Sequence, residues 1–496
     1  MKVRKFFRSP FVLVALLFLL SAKGHLQIID TEYSVRTALS IIEGGTMLID
    51  PVDERIRNRF PDVDGTDKIY SQYGLGLVVI LIPVVFFGKV FSFFLGLDQR
   101  IVMDFLISFY NVPFALLGLW FFRSILKRLG VSDKRATTTM IWLAITTCYW
   151  KYTVTDFSEI TQSAFLLGAL NAVLCTKHTK WKEVSFWCSL LILMKLIYVL
   201  LIPIFLVYAL NESRKQSSSS WLFPCLGSIC FYLIPVGVLL ALANYLRFEN
   251  PLESGYGKEA ASFSLSFFQR DWFDYIFSSD RGILAYNPII LASLPACLTI
   301  PKDKRKFFLL LFCICISWYV IMCSWKSWQG GYCWGNRLLV PIVPLLIFPL
   351  AFMSLNSLGT KLAFWFLIIT SFFIQLAAIS TKIHESSVLR DQLFLTTKLS
   401  APNQLVTTVN LFTSKIFQTK PVYKASDFGL KSSEKIDLSK FNSFYGFNFW
   451  PVHLFNFLKL HFAIGFVGNF VLFWLLFLAA LMFYRNVSTP PFGKII

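Results

Sequence analysis

The sequence predicts an all-α, multi-pass membrane protein with about 12 or 13 membrane segments and short helices in the first external loop. Of its 496 residues, 56% are hydrophobic and only 15% are charged, and the mean hydropathy is +0.61. Apolar runs recur near the length of about 20 residues that a helix needs to cross a bilayer. Because soluble domains carry about 25% charged residues, this composition excludes ordinary soluble enzymes, coiled coils and disordered chains.

The positive charge is a second guide to the class of protein. Lys and Arg (47) outnumber Asp and Glu (28), which gives a net charge of +19. The basic residues lie mostly in short loops between apolar runs, where they set membrane orientation and do not form a nucleic-acid surface. No nucleic-acid partner is therefore expected. Most of the ten cysteines lie in apolar segments without zinc-site spacing, which favours small buried hydrophobic residues.

The amino-terminal element is a basic stretch followed by the apolar run 11–22. A signal peptide would look similar, but no small-x-small cleavage site follows, so an uncleaved anchor with a cytosolic amino terminus is favoured. The next stretch, 23–72, is too polar for hydrocarbon and forms the first external loop. The further apolar segments run over 73–96, 101–122, 138–153, 160–176, 184–210, 221–245, 285–300, 307–323, 338–355, 362–380 and 462–484.

The run 184–210 decides the topology, because Lys195 and Pro203 interrupt it. It is either one tilted helix or two short helices that meet near Lys195. As a hairpin, it leaves the basic loops on one side, which would be cytosolic. The stretches 23–72, 154–159, 246–284, 324–337 and 381–461 are then external.

That topology conflicts with the segment 73–96. With the amino terminus and the 127–135 loop both inside, 73–96 cannot be a simple crossing between 11–22 and 101–122. We expect it to be re-entrant or to lie along the interface, broken at Pro83 and Gly88.

The domain organisation follows from these runs. A transmembrane domain covers 1–380, an external polar segment covers 381–461, and 462–496 forms the final helix with a short cytosolic tail. For 381–461 the residues indicate no chemistry. Acceptor binding, a lid and a surface-lying amphipathic piece all stay open.

Acidic residues follow the first helix directly, in the segment Asp30-Thr31-Glu32. Two carboxylates close to a membrane surface can hold a metal or accept a proton from an incoming hydroxyl group. Capping of a helix by Asp30 or Thr31 explains them as well. The two interpretations are compatible.

A second acidic position is Asp156, wedged between two apolar runs. An ionisable group at a membrane boundary is costly and often functional. The alternative is that Asp156 caps the following helix, 160–176.

Cations and aromatic residues supply candidate binding groups. Lys195 interrupts an apolar run, and an ammonium group in lipid costs at least about 2.5 kcal/mol, so it faces a cavity or a phosphate, or it extends to the surface. Later external segments carry further candidates for sugar stacking or phosphate binding. They are Tyr256, Arg281, Trp328, Asn336 and Arg337. A membrane aromatic belt explains the tryptophans alone, but not Asn336 and Arg337 beside Gly330-Gly331.

These motifs resemble the C-type integral membrane glycosyltransferases, which use polyprenyl-phosphate sugars. The group includes protein O-mannosyltransferases and lipid A aminoarabinose transferases. The resemblance lies in Asp30-x-Glu32 after the first helix, the junction 152–156, the Lys195/Pro203 hairpin and the segments 70–76 and 328–337, which are similar to a poorly characterised bacterial branch. It covers about residues 10–380, and its motifs are short and degenerate.

The resemblance implies a periplasmic or lumenal site beneath the first external loop, in a bacterial inner membrane. It implies that Asp30, with Glu32 beside it, is the catalytic base or a metal ligand, and that Asp156 is a second acidic residue. A divalent metal held by Asp30, Glu32 and Asp156 stays open. The segment 73–96 starts with Tyr-Gly-Leu-Gly where the aminoarabinose enzymes have a lysine-proline entry, which puts the lipid-phosphate contact there in doubt.

The implied reaction moves a sugar from a polyprenyl-phosphate donor to a lipid, glycan or protein acceptor. Independently of the resemblance, such a transfer needs a base for the acceptor hydroxyl, and Asp30 is the candidate. It also needs cations for the leaving phosphate, for which the candidates are Lys195, Arg281 and Arg337. A lipid or solute transporter, or flippase, is the alternative. Transporters usually place polar residues near mid-membrane in repeated, broken helices, and the sequence shows no repeat between its halves.

Overall fold

The computed structural model of the protein describes residues 9–49, 69–174, 181–213, 222–253, 255–256, 262–327, 329–383, 403–417, 422–424, 435–437 and 446–487. The described chain is built from helices, with one pair of short antiparallel strands in which Tyr423 lies opposite Ile436. The strands are β1 (Val422–Lys424) and β2 (Lys435–Asp437).

The first half of the chain forms a series of helices linked by short turns. They are α1 (Pro10–Ser21), α2 (Ile29–Gly44), α3 (Leu75–Leu95), α4 (Gln99–Ile107), α5 (Asn111–Arg128), α6 (Asp133–Thr146), α7 (Cys148–Thr153), α8 (Glu159–Val173), α9 (Trp181–Met194), the 3-10 helix Leu196–Leu201, α10 (Ile202–Ser213) and α11 (Leu222–Phe248).

The second half contains shorter and more broken elements. They are α12 (Leu265–Phe277), α13 (Ile283–Tyr286), α14 (Ile290–Ala296), the 3-10 turns Cys297–Thr299 and Lys302–Lys304, α15 (Arg305–Cys323), the 3-10 helix Arg337–Ile342, α16 (Val343–Ile347), the 3-10 helix Phe348–Phe352, α17 (Leu358–Ser380), α18 (Gln404–Ile416), α19 (Trp450–Phe457), the 3-10 turn His461–Ala463 and α20 (Ile464–Val487).

The protein is an integral, multi-pass membrane protein of the predicted all-α class. Within the described residues, six helices are long and apolar enough to cross a membrane, and four shorter apolar helices accompany them. The long ones are Leu75–Leu95, Gln99–Arg128, Leu226–Phe248, Lys302–Cys323, Leu358–Ser380 and His461–Tyr484. Helices occur where the sequence predicts apolar segments, but their boundaries differ. For example, the predicted run 101–122 forms two helices, α4 and α5.

The bundle has two polar ends, which the path of α5 separates. At its start, the Asn111 side chain donates to the carbonyl of Thr155 over 2.8 Å, and near its end Arg128 donates to the carbonyl of Leu174 over 3.3 Å. A helix of this length spans about 27 Å, close to the thickness of the hydrocarbon core. We call the end with residues 22–32, 154–159, 247–253, 255–256, 324–327 and 329–337 the loop face. The end with 127–135, 174, 302–305 and 353 is the basic face.

The segment 73–96 makes no net crossing between these faces. The chain enters α3 at Tyr73, on the loop face, where the Tyr73 hydroxyl donates to Asp30. It leaves α4 at Ser108, also on the loop face, where the Ser108 hydroxyl accepts from the amide of Gly24. The nine residues of α4 cover about 13 Å, which is too short for a return across the membrane.

Helix α3 instead packs with α2 and α4 in one layer, as expected for an interfacial or re-entrant segment. The predicted breaks are wrong, because α3 continues through Pro83 and Gly88. Gly88 is explained by packing: a Cβ there would lie 2.6 Å from the Met103 side chain of α4. The glycine permits close helix contact and does not end the helix.

The run 184–210 is a hairpin that reverses at Lys195. Lys195 has an extended backbone (φ −149°, ψ 120°) between α9 and the next 3-10 helix. After the reversal, Phe205 and Leu206 lie beside Val184 and Cys188, around a shared apolar cleft. The hairpin thus places Lys195 on the loop face.

Helix α1 is an integral part of the bundle. Val14, Leu17 and Phe18 are fully buried, and α1 packs against α5 and α20. The Arg123 guanidinium lies 6.0 Å from the Phe11 ring centroid, so α1 and α5 run antiparallel. The amino-terminal run is therefore a structural segment of the core.

Candidate active site

The site is centred on Asp30, in the first turn of α2. One carboxylate oxygen accepts from the Arg337 guanidinium over 2.9 Å, and the other accepts from the Tyr73 hydroxyl over 2.7 Å. Asp30 and Arg337 are 307 residues apart in sequence. The fold therefore brings the predicted base and one predicted phosphate-binding cation into direct contact.

Arg337 approaches Asp30 from a turn that ends the 324–337 loop. Its guanidinium lies 4.5 Å from the ring centroid of Phe157, a cation–π distance that orients the planar group. Its Nε atom is also 3.4 Å from a carboxylate oxygen of Glu159. Arg337 therefore lies between two carboxylates.

Glu159 extends the series to a second cation. The Nζ of Lys195 lies 3.1 Å from the same Glu159 oxygen, and the Glu159 side chain is only 2% exposed. Asp30, Arg337, Glu159 and Lys195 thus alternate in charge, and we call these four residues the charge chain. They come from four separate segments of the sequence and meet on the loop face.

The surroundings of Asp30 keep it ionised. Burial favours the neutral acid, but the charge of Arg337 and the hydrogen bonds from Tyr73 and Arg337 outweigh it, so the pKa of Asp30 is lowered. Burial, together with the negative charge of Asp30, raises the pKa of Tyr73. Tyr73 therefore acts as a neutral hydrogen-bond donor.

Arg247, at the end of α11, fixes the segment that carries Tyr73. It is 5% exposed, and its guanidinium donates to the carbonyls of Ser71 over 2.8 Å and Tyr73 over 3.3 Å. Asn244 accepts a further hydrogen bond from it over 2.7 Å. Because its donors are engaged by protein groups, Arg247 positions Tyr73 against Asp30.

Asp156 binds the backbone just before α2. Its carboxylate accepts from the amides of Ile28 over 2.9 Å and Gln27 over 3.2 Å. The predicted alternative, a cap on the helix after Asp156, is therefore wrong: the carboxylate binds the entry to α2 and so sets the direction of Asp30. Burial raises the pKa of Asp156 to about 7, although both amides favour its charged form.

Glu32 faces different partners from Asp30. It pairs with Arg36, one turn further along α2, and with both ends of the Arg100 guanidinium of α4. Burial opposes ionisation, but these two arginines lower its pKa. Glu32 therefore ties α2 to α4 and does not join the charge chain.

The three carboxylates named for a metal do not form one ligand set. Asp30 binds Arg337 and Tyr73, Glu32 binds two arginines, and Asp156 binds backbone amides. Among the residues that the structure describes, no group of three or more His, Cys, Asp or Glu side chains is placed to hold a metal ion. Asp30, Glu32 and Asp156 therefore do not form the shared ligand set that was predicted for a divalent metal.

Arg281, the third candidate phosphate cation, is engaged elsewhere. Its guanidinium donates to the carbonyls of Cys333 over 2.8 Å and Gly335 over 3.2 Å. Arg281 thus holds the turn that precedes Arg337 and pairs with Asp280, and its role as a phosphate cation stays a prediction.

Gln404, the first residue of α18, holds the same turn from the other side. It is fully buried, its amide group donates to the Cys333 carbonyl over 2.7 Å, and its oxygen accepts from the Gly335 amide over 3.1 Å. The external segment 381–461 therefore has a structural role within its described part. It braces the 333–335 turn and, through that turn, Arg337.

The remaining predicted residues lie around the site or outside the described chain. Asn336 is buried beside Tyr275. Tyr256 is half-buried and follows Gly255, where a Cβ would lie 2.9 Å from the Cα of Gln72. Tyr256 is therefore close to the segment that carries Tyr73. Trp328 lies outside the described residues.

Sequence reasoning missed four residues of this arrangement. They are Tyr73, Glu159, Arg247 and Gln404. Glu159 stands three residues after Asp156, and an acidic residue opening an apolar helix was the available signal. Tyr73 and Arg247 had no separate signal, because their roles depend on contacts between distant segments.

Comparisons with known proteins gave structural neighbours only. No family model matches the sequence, and no curated protein matches it. ArnT from Cupriavidus metallidurans bound to undecaprenyl phosphate aligns over 97% of this chain and 77% of its own, with 14% identity and a TM-score of 0.49. The archaeal oligosaccharyltransferase AglB from Archaeoglobus fulgidus, in complex with an inhibitory peptide and a dolichol-phosphate, aligns over 76% of this chain with 11% identity and a TM-score of 0.45.

A second structure of the Archaeoglobus fulgidus oligosaccharyltransferase, in complex with Zn and sulfate, has 12% identity and a TM-score of 0.46 over 82% of this chain. The chain spans 55% of each oligosaccharyltransferase. ArnT and AglB belong to the C-type glycosyltransferase superfamily, the one that the sequence motifs resemble. TM-scores below 0.5 at these identities do not assign the chain to that superfamily.

Proposed function

We propose that the protein is a membrane glycosyltransferase that moves a hexosyl or pentosyl group from a polyprenyl-phosphate donor to a lipid, glycan or protein acceptor. The observation that carries the proposal is the charge chain. An ionised carboxylate in contact with an arginine, beside a second buried acid–cation pair, supplies a base and two phosphate-binding cations within one site.

The proposed step needs no redox partner. Asp30 takes the proton from an acceptor hydroxyl, whose oxygen forms a bond with the anomeric carbon of the sugar. The bond from that carbon to the phosphate oxygen breaks, and its electron pair leaves with the lipid phosphate. Arg337 and Lys195 stabilise the charge that develops on the phosphate.

Tyr73 and Asp156 fix the orientation of the Asp30 carboxylate, the proposed base. Tyr73 donates to one oxygen of Asp30, and Asp156 fixes the backbone two residues before it. A base held in this way loses little freedom as the proton moves, which favours the reaction. No step is assigned to a metal, because the proposed carboxylates are already bound to other groups.

The partners follow from this chemistry. The donor is a sugar linked to a polyprenyl phosphate, and the ligands named for ArnT and AglB are lipid phosphates of this type. The enzyme lies in a membrane, so the donor chain can remain among membrane lipids. We place the basic face in the cytosol, because Lys127, Arg128, Lys134 and Arg135 cluster there. The active site then faces the periplasm of a bacterial inner membrane.

The position of the charged residues supports a transporter less well than a transferase. Transporters usually bind their substrates near mid-membrane. The charge chain lies on the loop face, at the starts of α2 and α8 and just after the end of α9. This position suits a reaction between a lipid headgroup and an acceptor at the membrane surface.

The experiment is a turnover assay with purified protein and a labelled polyprenyl-phosphate sugar. We expect the label to move to an acceptor, or to water, with release of polyprenyl phosphate. Asp30→Asn should lower kcat by about 10²–10⁴-fold, the usual contribution of a general base. Asp303→Asn is the matched control, since Asp303 is exposed and pairs with its neighbour Lys304.

Two outcomes would contradict the proposal. Movement of an intact lipid-linked sugar across vesicles without cleavage would identify a transporter. Full turnover by a folded Asp30→Asn protein would remove Asp30 as the base.

A further inference from the structure

The charge chain has an unusual member in Glu159. This carboxylate is buried, and its Oε1 atom lies close to both Lys195 and Arg337. Among the residues that the structure describes, its buried Oε2 atom has no hydrogen-bond partner. An unsatisfied buried carboxylate oxygen carries a desolvation penalty, so Glu159 is only partly stabilised in this state.

The contact with Arg337 is also incomplete. The Nε atom of Arg337 is 3.4 Å from Glu159 but makes no hydrogen bond with it. Arginine binds phosphate through two parallel hydrogen bonds, which this contact does not provide. A phosphate group would therefore satisfy Arg337 better than Glu159 does.

The net charge of the charge chain also indicates that a phosphate would have to displace a carboxylate. Two carboxylates and two cations make the charge chain neutral, so an arriving phosphate finds both cations already paired. To bind, it has to weaken or replace one carboxylate. Asp30 is held by Arg337 and Tyr73 with hydrogen bonds, whereas Glu159 has one hydrogen bond, from Lys195.

Glu159 also keeps some stabilisation if it is replaced. It is the first residue of α8, and the preceding Ser158 makes no side-chain cap. A negative charge at this helix end is favoured by the peptide dipoles. The helix end therefore offsets part of the loss when Glu159 no longer contacts the two cations.

We propose that Glu159 competes with the phosphate of a polyprenyl monophosphate for Lys195 and Arg337, and so helps to expel the lipid-phosphate product. The inference rests on the proposed function, which it extends to product release. Glu159 occupies the cations when the site is free of lipid. It returns to them as the product leaves.

The test measures binding of a short-chain polyprenyl phosphate to the full-length protein in lipid nanodiscs. Glu159→Gln keeps the shape and removes the charge, so we expect it to bind about tenfold more tightly than wild type, equal to about 1.4 kcal/mol. Glu159→Asp retains the charge with a shorter reach and should give a smaller gain, of about threefold. Asp303→Asn, on the basic face, should bind as wild type does.

Turnover gives a second readout that a purely structural role would not produce. With the labelled donor, Glu159→Gln should lower KM and also kcat, because tighter product binding slows release. Glu159→Asp keeps the proposal testable if Glu159→Gln does not fold. Thermal unfolding of each variant checks that folding is intact.

The ligand arms separate the sources of phosphate. Inorganic phosphate alone should compete weakly and show the same tightening in Glu159→Gln. Phosphatidylglycerol, a phosphodiester, should show none. If phosphatidylglycerol gains as much, the ligand is a bulk anionic lipid and the inference is wrong.

Failure of this inference and failure of the proposed function look different. Weaker or unchanged binding by folded Glu159 variants, with Lys195→Met and Arg337→Gln still losing affinity, would show that Glu159 positions the cations and does not compete. If Lys195→Met and Arg337→Gln both bind as wild type does, the lipid-phosphate site itself is wrong.

Discussion

The two polar ends of the bundle both contain ion pairs, but the pairs differ in reach and in burial. On the basic face, Arg123 pairs with Asp133 ten residues away, and Asp133 is 59% exposed. On the loop face, Arg337 pairs with Asp30 across 307 residues, and the Arg337 side chain is 14% exposed. The Asp30 side chain is 24% exposed, so this pair is partly buried. Exposed local pairs contribute little to stability, whereas a pair withdrawn from water carries a desolvation penalty that its contacts have to offset.

The difference indicates that the charges of the basic face set membrane orientation, whereas those of the loop face serve the proposed reaction. The basic face has an excess of Lys and Arg close to the chain turns, as expected for a cytosolic surface. On the loop face, the charged residues of the charge chain come from segments that are distant in sequence. Variants of the two faces should therefore differ in their effects on turnover.

Arg337→Gln should lower kcat by about 10²–10³-fold, because it removes charge stabilisation of the leaving phosphate. Arg128→Gln is the matched change on the basic face, where Arg128 donates to the carbonyl of Leu174. It should leave the rate of sugar transfer unchanged. Equal losses in both variants would mean that the two faces do not differ in function.

Gln404→Met removes the hydrogen bonds that hold the 333–335 turn. We expect kcat/KM for the donor to fall by about 10–100-fold, since Arg337 is then less well placed. Gln404→Glu retains the acceptor for the Gly335 amide and should recover part of the loss. Val406→Ala, at a side chain that is 54% exposed on the same helix, is the control.

The role of Gln404 as a positioning residue is checked by the split between KM and kcat. A loss that appears only as lower thermal stability, with normal kinetics in the folded fraction, would count against it.

Asp156→Asn should change how stability depends on pH. Burial raises the pKa of Asp156 from 3.8 to about 7 in the folded protein. Its contribution to stability is therefore fully present below about pH 4 and is lost as pH rises through about 7. In Asp156→Asn, the fall in Tm over this range should become smaller.

Asp133→Asn is the control on the basic face. Hydrogen bonds and charges from Lys127 and Arg123 lower the pKa of Asp133, so its own effect has the opposite sign, and its exposure keeps it small. It should not flatten the fall in Tm. A pH profile that Asp156→Asn leaves unchanged would show that Asp156 titrates alike in the folded and unfolded states.

The smallest effect is expected from breaking the exposed pair on the basic face. Arg123→Gln should lower the free energy of unfolding by less than about 1 kcal/mol. Thermal unfolding in detergent measures it. A larger loss would mean that this face is more than an orientation signal.

The sequence was sufficient for the class of fold and for part of the site. Hydropathy and loop charge predicted the multi-pass architecture, the reversal at Lys195 and the absence of a simple crossing by 73–96. Asp30 was selected as a carboxylate close to the membrane surface, Lys195 because an ammonium group in lipid is costly, and Arg337 because arginine binds phosphate. The structure places all three in the charge chain.

The part of the site that the sequence could not predict depends on contacts between distant segments. Arg281 and Arg337 look equivalent in the sequence, since each follows a polar stretch on the same side. Only the fold shows that Arg281 binds carbonyls of the 333–335 turn while Arg337 reaches Asp30. Likewise, Asp156 and Glu159 share one short segment, and their different partners depend on how α2 and α9 approach it.

The most direct test is a double-mutant cycle on Asp30 and Arg337, measured as the free energy of unfolding and needing no assumption about the substrate. If the two side chains meet in one partly buried site, Asp30→Asn and Arg337→Gln should be non-additive, with a coupling energy of about 1–3 kcal/mol. The Arg123 and Asp133 pair should give less than about 1 kcal/mol. Additive effects at positions 30 and 337 would contradict their convergence.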